Sequence, residues 1–280
     1  DGTSDDQKGD LIFYTNDGND NAAPNERMRI DSAGYVGIGT TSTDKQTEIK
    51  ITDGNNTAGL KIVDTSDETA TYLGQFSNTT YFTNNATYSG GWAADDTDVP
   101  VAGINLGDGI ALSTAAAGAT SPTARVTIDS AGNVNMPYQP AFQAKLSSDQ
   151  TNLATGSNVT ILFASDSATG MFDQGGDFNT GTYTFTAPVD GKYQFNVFLR
   201  LDAVDADASN YQIQLITSDY TYNNLIVPTV WDSDGYWTFA FSVLADMDAN
   251  DTAYVVIFQL SGTAQTDVVA ASTFSGVLIC

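Results

Sequence analysis

The stretch from Phe172 to Leu201, FDQGGDFNTGTYTFTAPVDGKYQFNVFLRL, leaves few ways for its part of the chain to fold. Tyr183, Phe185 and Ala187 alternate with polar neighbours. Tyr193, Phe195, Val197, Leu199 and Leu201 then alternate against Lys192, Gln194, Asn196 and Arg200. Successive side chains on a strand point to opposite faces, so this period of two predicts a pair of strands with a shared aromatic face. Pro188 and Gly191 supply the turn between them. The stretch reads as an antiparallel hairpin in a half-buried sheet.

Other segments extend the pattern. Ile213 and Leu215 alternate with Gln212 and Gln214, and Trp237, Phe239, Phe241 and Val243 form another period-two run. The run Ala253–Leu260, AYVVIFQL, is apolar on both faces and so has to be covered on both. A single core covers one face, and the other is expected to meet a neighbouring subunit. The acids support an all-β chain: Glu26, Glu48 and Glu68 are the only glutamates among 34 Asp+Glu, and aspartate favours turns where glutamate favours helices.

Composition also excludes function classes. Ten Lys+Arg against 34 acids give a formal charge of −24, a surface that phosphate backbones repel, so nucleic acid is not expected as a partner. The chain has no histidine and its one cysteine is the terminal Cys280, so no Ser-His-Asp or Cys-His device can be built and no disulfide can form within the chain. No apolar run reaches the roughly 18 residues of a spanning helix, and no signal peptide is visible, so no membrane insertion is expected. The sequence begins at Asp1 rather than Met and is read as a fragment or processed product.

One unit recurs. Pro24, Arg27, Ile30, Asp31, Gly34 and Val36 return 98 residues later as Pro122, Arg125, Ile128, Asp129, Gly132 and Val134. GDLIFYT from Gly9 returns more loosely as GDGIALST from Gly107. Each copy reads strand, loop, strand, Asp-Ser-Ala-Gly turn, strand, and is too small to bury its apolar face alone. The expected organisation is a repeat unit at 1–40, a small β insert at 41–106, a second repeat unit at 107–137 and a head at 138–280. Residues 111–122 read as a flexible connection, and the prolines at 137 and 140 mark the boundary of the head.

Two resemblances attach to these motifs. The string ERMRIDSAGYVGIGTTS is similar to a motif of phage tail-fibre and tailspike shafts, and the resemblance implies trimer-wound β structure leading to a distal head. The motif also occurs in bacterial surface proteins. The spacing of Asp173, Phe178, Phe185, Gly191, Tyr193 and Phe195, with the closing run STFSGVLI from Ser272, resembles the complement subcomponent-q family of globular heads. That resemblance covers about residues 138–280 and implies a trimeric, tumour-necrosis-factor-like jelly roll. Two departures stand out: the family's opening Phe falls on Ser167, with Phe163 four residues earlier, and Val197 stands where an aromatic is usual.

Candidate sites follow. The segment 219–235, DYTYNNLIVPTVWDSDG, reads as a turn-rich loop in which Tyr220, Tyr222 and Trp231 stand with Asn223 and Asn224. Aromatics beside amides suit carbohydrate or protein recognition, and they equally suit packing beneath a loop or against the next subunit; both readings stand. Trp92, near the tip of an expected exposed loop, could stack on a sugar, although a structural tryptophan is the commoner use. Two acidic clusters are candidate calcium ligands: Asp202, Asp205 and Asp207, and Asp246, Asp248 and Asp251. The resembled heads often hold calcium near their three-fold axis. The second cluster is no EF-hand, since Asp251 replaces the glycine at the sixth position and Ile257 the glutamate at the twelfth. Both clusters also read as solvated loops.

The expectation is a structural viral fibre protein, a homotrimer on the virion surface. It joins other tail or capsid proteins and binds a host surface glycan or protein through its head. A bacterial extracellular adhesin of the same modules is the alternative, and a polysaccharide-degrading tailspike the second. No enzyme activity and no cofactor beyond calcium is expected.

Overall fold

The computed structural model describes residues 9–16, 23–42, 47–49, 57–63, 70–76, 79–88, 92–94, 98–119, 121–164, 168–228 and 235–280. Among these every regular element is a strand, as the two-residue periods predict. The chain divides into two compact units, Asp1–Met136 and Pro137–Cys280.

The first unit opens with a small sheet of β1 (Leu11–Thr15), β2 (Asn25–Ile30), β3 (Val36–Ile38) and β4 (Thr47–Ile49), in that order. A longer sheet follows. Its strands in sequence are β5 (Thr57–Val63), β6 (Ala70–Phe76) and β7 (Thr79–Asn84). The hairpin of β8 (Ala86–Tyr88) and β9 (Trp92–Ala94) is a separate two-stranded sheet, and Ala86 packs against the longer one. Then come β10 (Val101–Leu106), β11 (Ile110–Ala115), β12 (Thr123–Ile128) and β13 (Val134–Asn135). Across the sheet the order is β13-β12-β11-β10-β7-β6-β5. The division expected at 106/107 therefore lies between two paired strands of one sheet.

The sequence repeat recurs in hydrogen bonds. β1-β2-β3 and β11-β12-β13 share a bulge in their second strand, where Arg27 is the extra residue opposite Phe13 and Tyr14 and Arg125 the extra residue opposite Leu112 and Ser113. Arg27 Nε donates to Thr15 Oγ1 at 2.8 Å, and Arg125 Nε to Thr114 Oγ1 at 3.1 Å. In each turn an aspartate accepts two backbone amides at 2.9 Å: Asp31 Oδ1 from Ala33 and Tyr35, Asp129 Oδ1 from Ala131 and Asn133. Gly34 and Gly132 close these turns at φ of 85° and 86°, where a Cβ is unfavourable. The expected flexible connection at 111–122 is corrected over its first part, which is the strand β11. Ser113 and Ala115 point to its buried face, and Ala115 packs with Ala86 and Val101.

The second unit is a two-sheet sandwich. In sequence its strands are β14 (Ala141–Lys145), β15 (Asn158–Thr160), β16 (Phe172–Gln174), β17 (Phe178–Asn179) and β18 (Thr184–Thr186). The long β19 (Gly191–Asp202), β20 (Asn210–Thr217), β21 (Thr221–Ile226) and β22 (Trp237–Met247) follow. β23 (Thr252–Leu260), β24 (Asp267–Val268) and β25 (Thr273–Leu278) complete it. One sheet runs β16-β14-β25-β19-β22, with β24 beside β19; the other runs β17-β18-β23-β20-β21, with β15 beside β23.

The core lies between the sheets. Tyr193, Phe195, Val197, Leu199 and Leu201 are all buried, as their alternation predicts. Phe142 stacks on Phe178 at 4.8 Å and on Phe185 at 5.0 Å, with Phe274 edge-on at 5.0 Å. Phe163, displaced from the family's usual position, is buried against Phe274 at 5.8 Å; Ser167 lies outside the described residues. Tyr183 departs from its expected strand, with φ of 61° in the turn before β18.

The expectation for β23 changes. Its inward row of Ala253, Val255, Ile257 and Gln259 is buried, but Val256 of the outward row is also only 2% exposed. In register with it stand Thr160 of β15 and Gln214 of β20, so the sheet itself shelters the middle of that row. The motive for a neighbouring subunit at β23 is therefore weak. The head's open apolar surface lies elsewhere, at its β21–β22 edge.

Candidate functional site

β21 and β22 are the terminal strands of their two sheets, and the sandwich does not close between them. On β22, Trp237, Phe239, Phe241 and Val243 face the core yet stay half-buried. A groove of about 500 Å³ runs along this edge, lined by Tyr220, Tyr222, Asn223, Asn224 and Leu225 on one side and Phe241 and Val243 on the other.

The segment 219–235 was expected to be a loop, but Thr221–Ile226 is an edge strand paired with β20. Its turn is held by Thr217, whose Oγ1 accepts from the Tyr220 amide at 3.0 Å while its own amide donates to the Tyr220 carbonyl at 2.8 Å. The turn leaves Tyr220 63% exposed and sets its ring edge-on to Tyr222, centroids 4.9 Å apart. Partial burial raises the Tyr222 hydroxyl pKa, aided by Tyr220 and Asp246, so the phenol is a neutral donor at physiological pH. Asn223 Nδ2 donates to Gln212 Oε1 at 2.9 Å on the outer face of the sheet, and Asn224 stands in register with Ile213 on the inner one. The arrangement offers ring faces, a phenol donor and amides.

Trp231 lies outside the described residues, and Trp92 sits not in an open loop but at the start of β9, opposite Tyr88. Of the expected contact residues the structure thus brings together Tyr220, Tyr222, Asn223 and Asn224. Phe241 and Val243 were read only as members of a period-two run; their place on a terminal strand was not visible without the sheet order.

The aspartate clusters are built differently. Asp205 is buried, and both its carboxylate oxygens accept backbone amides, Oδ1 from Asp207 at 2.9 Å and Oδ2 from Thr263. It ties the β19–β20 connection to the β23–β24 connection. Asp202 Oδ1 accepts its neighbour's amide, from Ala203 at 2.8 Å, and Asp207 is exposed. In the other cluster Asp246 pairs with Lys192, and Asp251 Oδ2 accepts the Asp248 amide at 2.9 Å to shape the β22–β23 turn. Among the described residues no three carboxylates converge on a point that could hold a metal ion.

The C1q domain family model matches residues 141–279. The globular domain of zebrafish complement 1qA protein is similar at 16% identity, with a TM-score of 0.38, covering 51% of this chain and 98% of that one. No curated protein matches the chain. No helix among the described residues is long and apolar enough to cross a membrane. The groove thus belongs to a sandwich of known type: residues 141–279 of this chain are a C1q domain.

Proposed function

We propose that this chain is a structural fibre protein of a virion, a tail fibre or similar appendage, whose homotrimeric head binds a glycan or protein on a host surface. The observation that carries the binding reading is the open β21–β22 edge, where Tyr220 and Tyr222 stand edge-to-face at a groove of mixed polar and apolar lining. Aromatic rings beside amides are the usual anchors of carbohydrate and protein recognition. C1q domains typically form trimers, which supports the homotrimer. Three equivalent grooves engaged together would turn weak single contacts into avidity. The fibre reading rests on the repeated Asp-Ser-Ala-Gly unit, found twice in sequence and twice in hydrogen bonding. The chain acts by binding rather than by catalysis.

The test is a full chain carrying Tyr220→Ala and Tyr222→Ala, assayed for adsorption to host cells and for mass in solution. Adsorption is expected to weaken at least about tenfold, since a few aromatic anchors carry most of an interface's energy, while the mass stays that of the wild type. Normal adsorption would remove the groove from the binding reading. Separation into single chains would make the tyrosines subunit contacts instead.

A further inference from the structure

The seven-stranded sheet of the first unit wears its faces the wrong way round for a sheet alone in water. Its covered face buries Tyr72, Gly74, Tyr81, Thr83 and Ser113, mostly small or polar-tipped residues. Its open face carries one apolar side chain from each of six adjacent strands in direct register: Leu60, Leu73, Phe82, Ile104, Leu112 and Val126. Leu60, Leu73 and Phe82 are 51%, 50% and 53% exposed. A second row, Leu106, Ile110, Ile128 and Val134, crosses four strands beside it. A shallow depression of about 460 Å³ lies over Phe82, Ile104, Leu112 and Val126. Scattered exposed leucines are ordinary, but an unbroken row across a sheet marks an interaction surface.

We propose that this face is where further copies of the same chain meet, so that the first unit self-associates independently of the head. Two observations choose the occupant. The half-exposed side chains of the two rows together present several hundred Å² of apolar area, the scale of the ~800 Å² each partner buries in a standard interface. Charge gives the second: the chain holds 34 acids, yet β5, β6, β7, β10, β11 and β12 contain no Asp or Glu. Two chains of formal charge −24 repel wherever their carboxylates meet, and on this face they can approach without opposing them. A basic partner would find no anionic grip here. An apolar face of this kind is self-complementary, so a copy of the chain supplies its own cover.

The experiment uses the full chain with Cys280→Ser, since Cys280 is exposed. Leu73→Cys places a thiol in the row, and Ser32→Cys, in the first exposed turn, is the control. At micromolar concentration the Leu73→Cys thiol is expected to react with a neutral maleimide at least tenfold more slowly than the control. The difference should vanish on dilution to the point where light scattering gives single chains. Adding Phe82→Glu and Ile104→Glu should restore fast labelling at micromolar concentration. If the chains stay associated while Leu73→Cys labels as fast as the control, only the head assembles and this proposal falls. Slow labelling of a single chain would show the chain covering its own face, and overturns it equally. Neither result bears on Tyr220 and Tyr222, whose adsorption test stands separately.

Discussion

Gly276 is where the head's ring stack depends on a missing side chain. A Cβ there would lie 2.6 Å from the Phe142 ring and 2.8 Å from that of Phe195, both fully enclosed. Neither ring can yield, because each packs on further rings. Gly276→Ala is expected to destabilise the head by about 1–3 kcal/mol, read as a fall of several degrees in its melting temperature. Asp177 gives a pH signature. Desolvation, then the nearby Asp173 carboxylate, raises its pKa, so the folded head holds this proton more tightly than the unfolded chain. A raised pKa contributes stability that is full below the ordinary aspartate range and is lost as pH rises through the folded value. Asp177→Asn should therefore raise the melting temperature at neutral pH, and the gain should shrink as pH falls toward that range. An equal gain at every pH would refute the burial argument.

At the scale of elements, the repeated turn is the clearest unit. Asp129 is held below the ordinary aspartate pKa chiefly by hydrogen bonds from Asn133, then by amides of its own turn. Asp129→Ala should speed amide exchange at Ala131 and Asn133 by roughly three- to tenfold, the worth of a net hydrogen bond, and leave the head's amides unchanged. Asp31→Ala should act alike on Ala33 and Tyr35, since its carboxylate accepts the equivalent pair. Here the sequence was fully legible, because an aspartate two residues before an amide makes the same local bond in any fold. β21 was not legible. Its Tyr-Asn-Asn run has loop-like composition, and only pairing with β20 makes it a strand.

For the whole molecule, charge sets the expectation. A chain of formal charge −24 repels itself, and three together would carry −72. Raising sodium chloride from ~0.01 to ~0.15 M shortens the screening length from about 30 to about 8 Å, and the melting temperature should rise with it. Calcium at matched ionic strength should add nothing beyond sodium at the two aspartate clusters, because Asp205 and Asp251 already accept backbone amides. A melting temperature that EDTA lowers at constant ionic strength would contradict this.

The sequence by itself determined the strand class, the buried row of β19 and the repeated turns. Each is a local matter of side-chain alternation, turn chemistry or motif spacing, readable a few residues at a time. Which strands stand at an edge is a property of sheet order, set by pairings between residues far apart in sequence. The tertiary structure therefore decided that Phe241 and Val243 border a groove, that Val256 is sheltered by its own sheet, and that Leu60 through Val126 align into one open row. Alternation tells that a strand has two different faces; only the packing of the other elements tells which of them is left to the solvent.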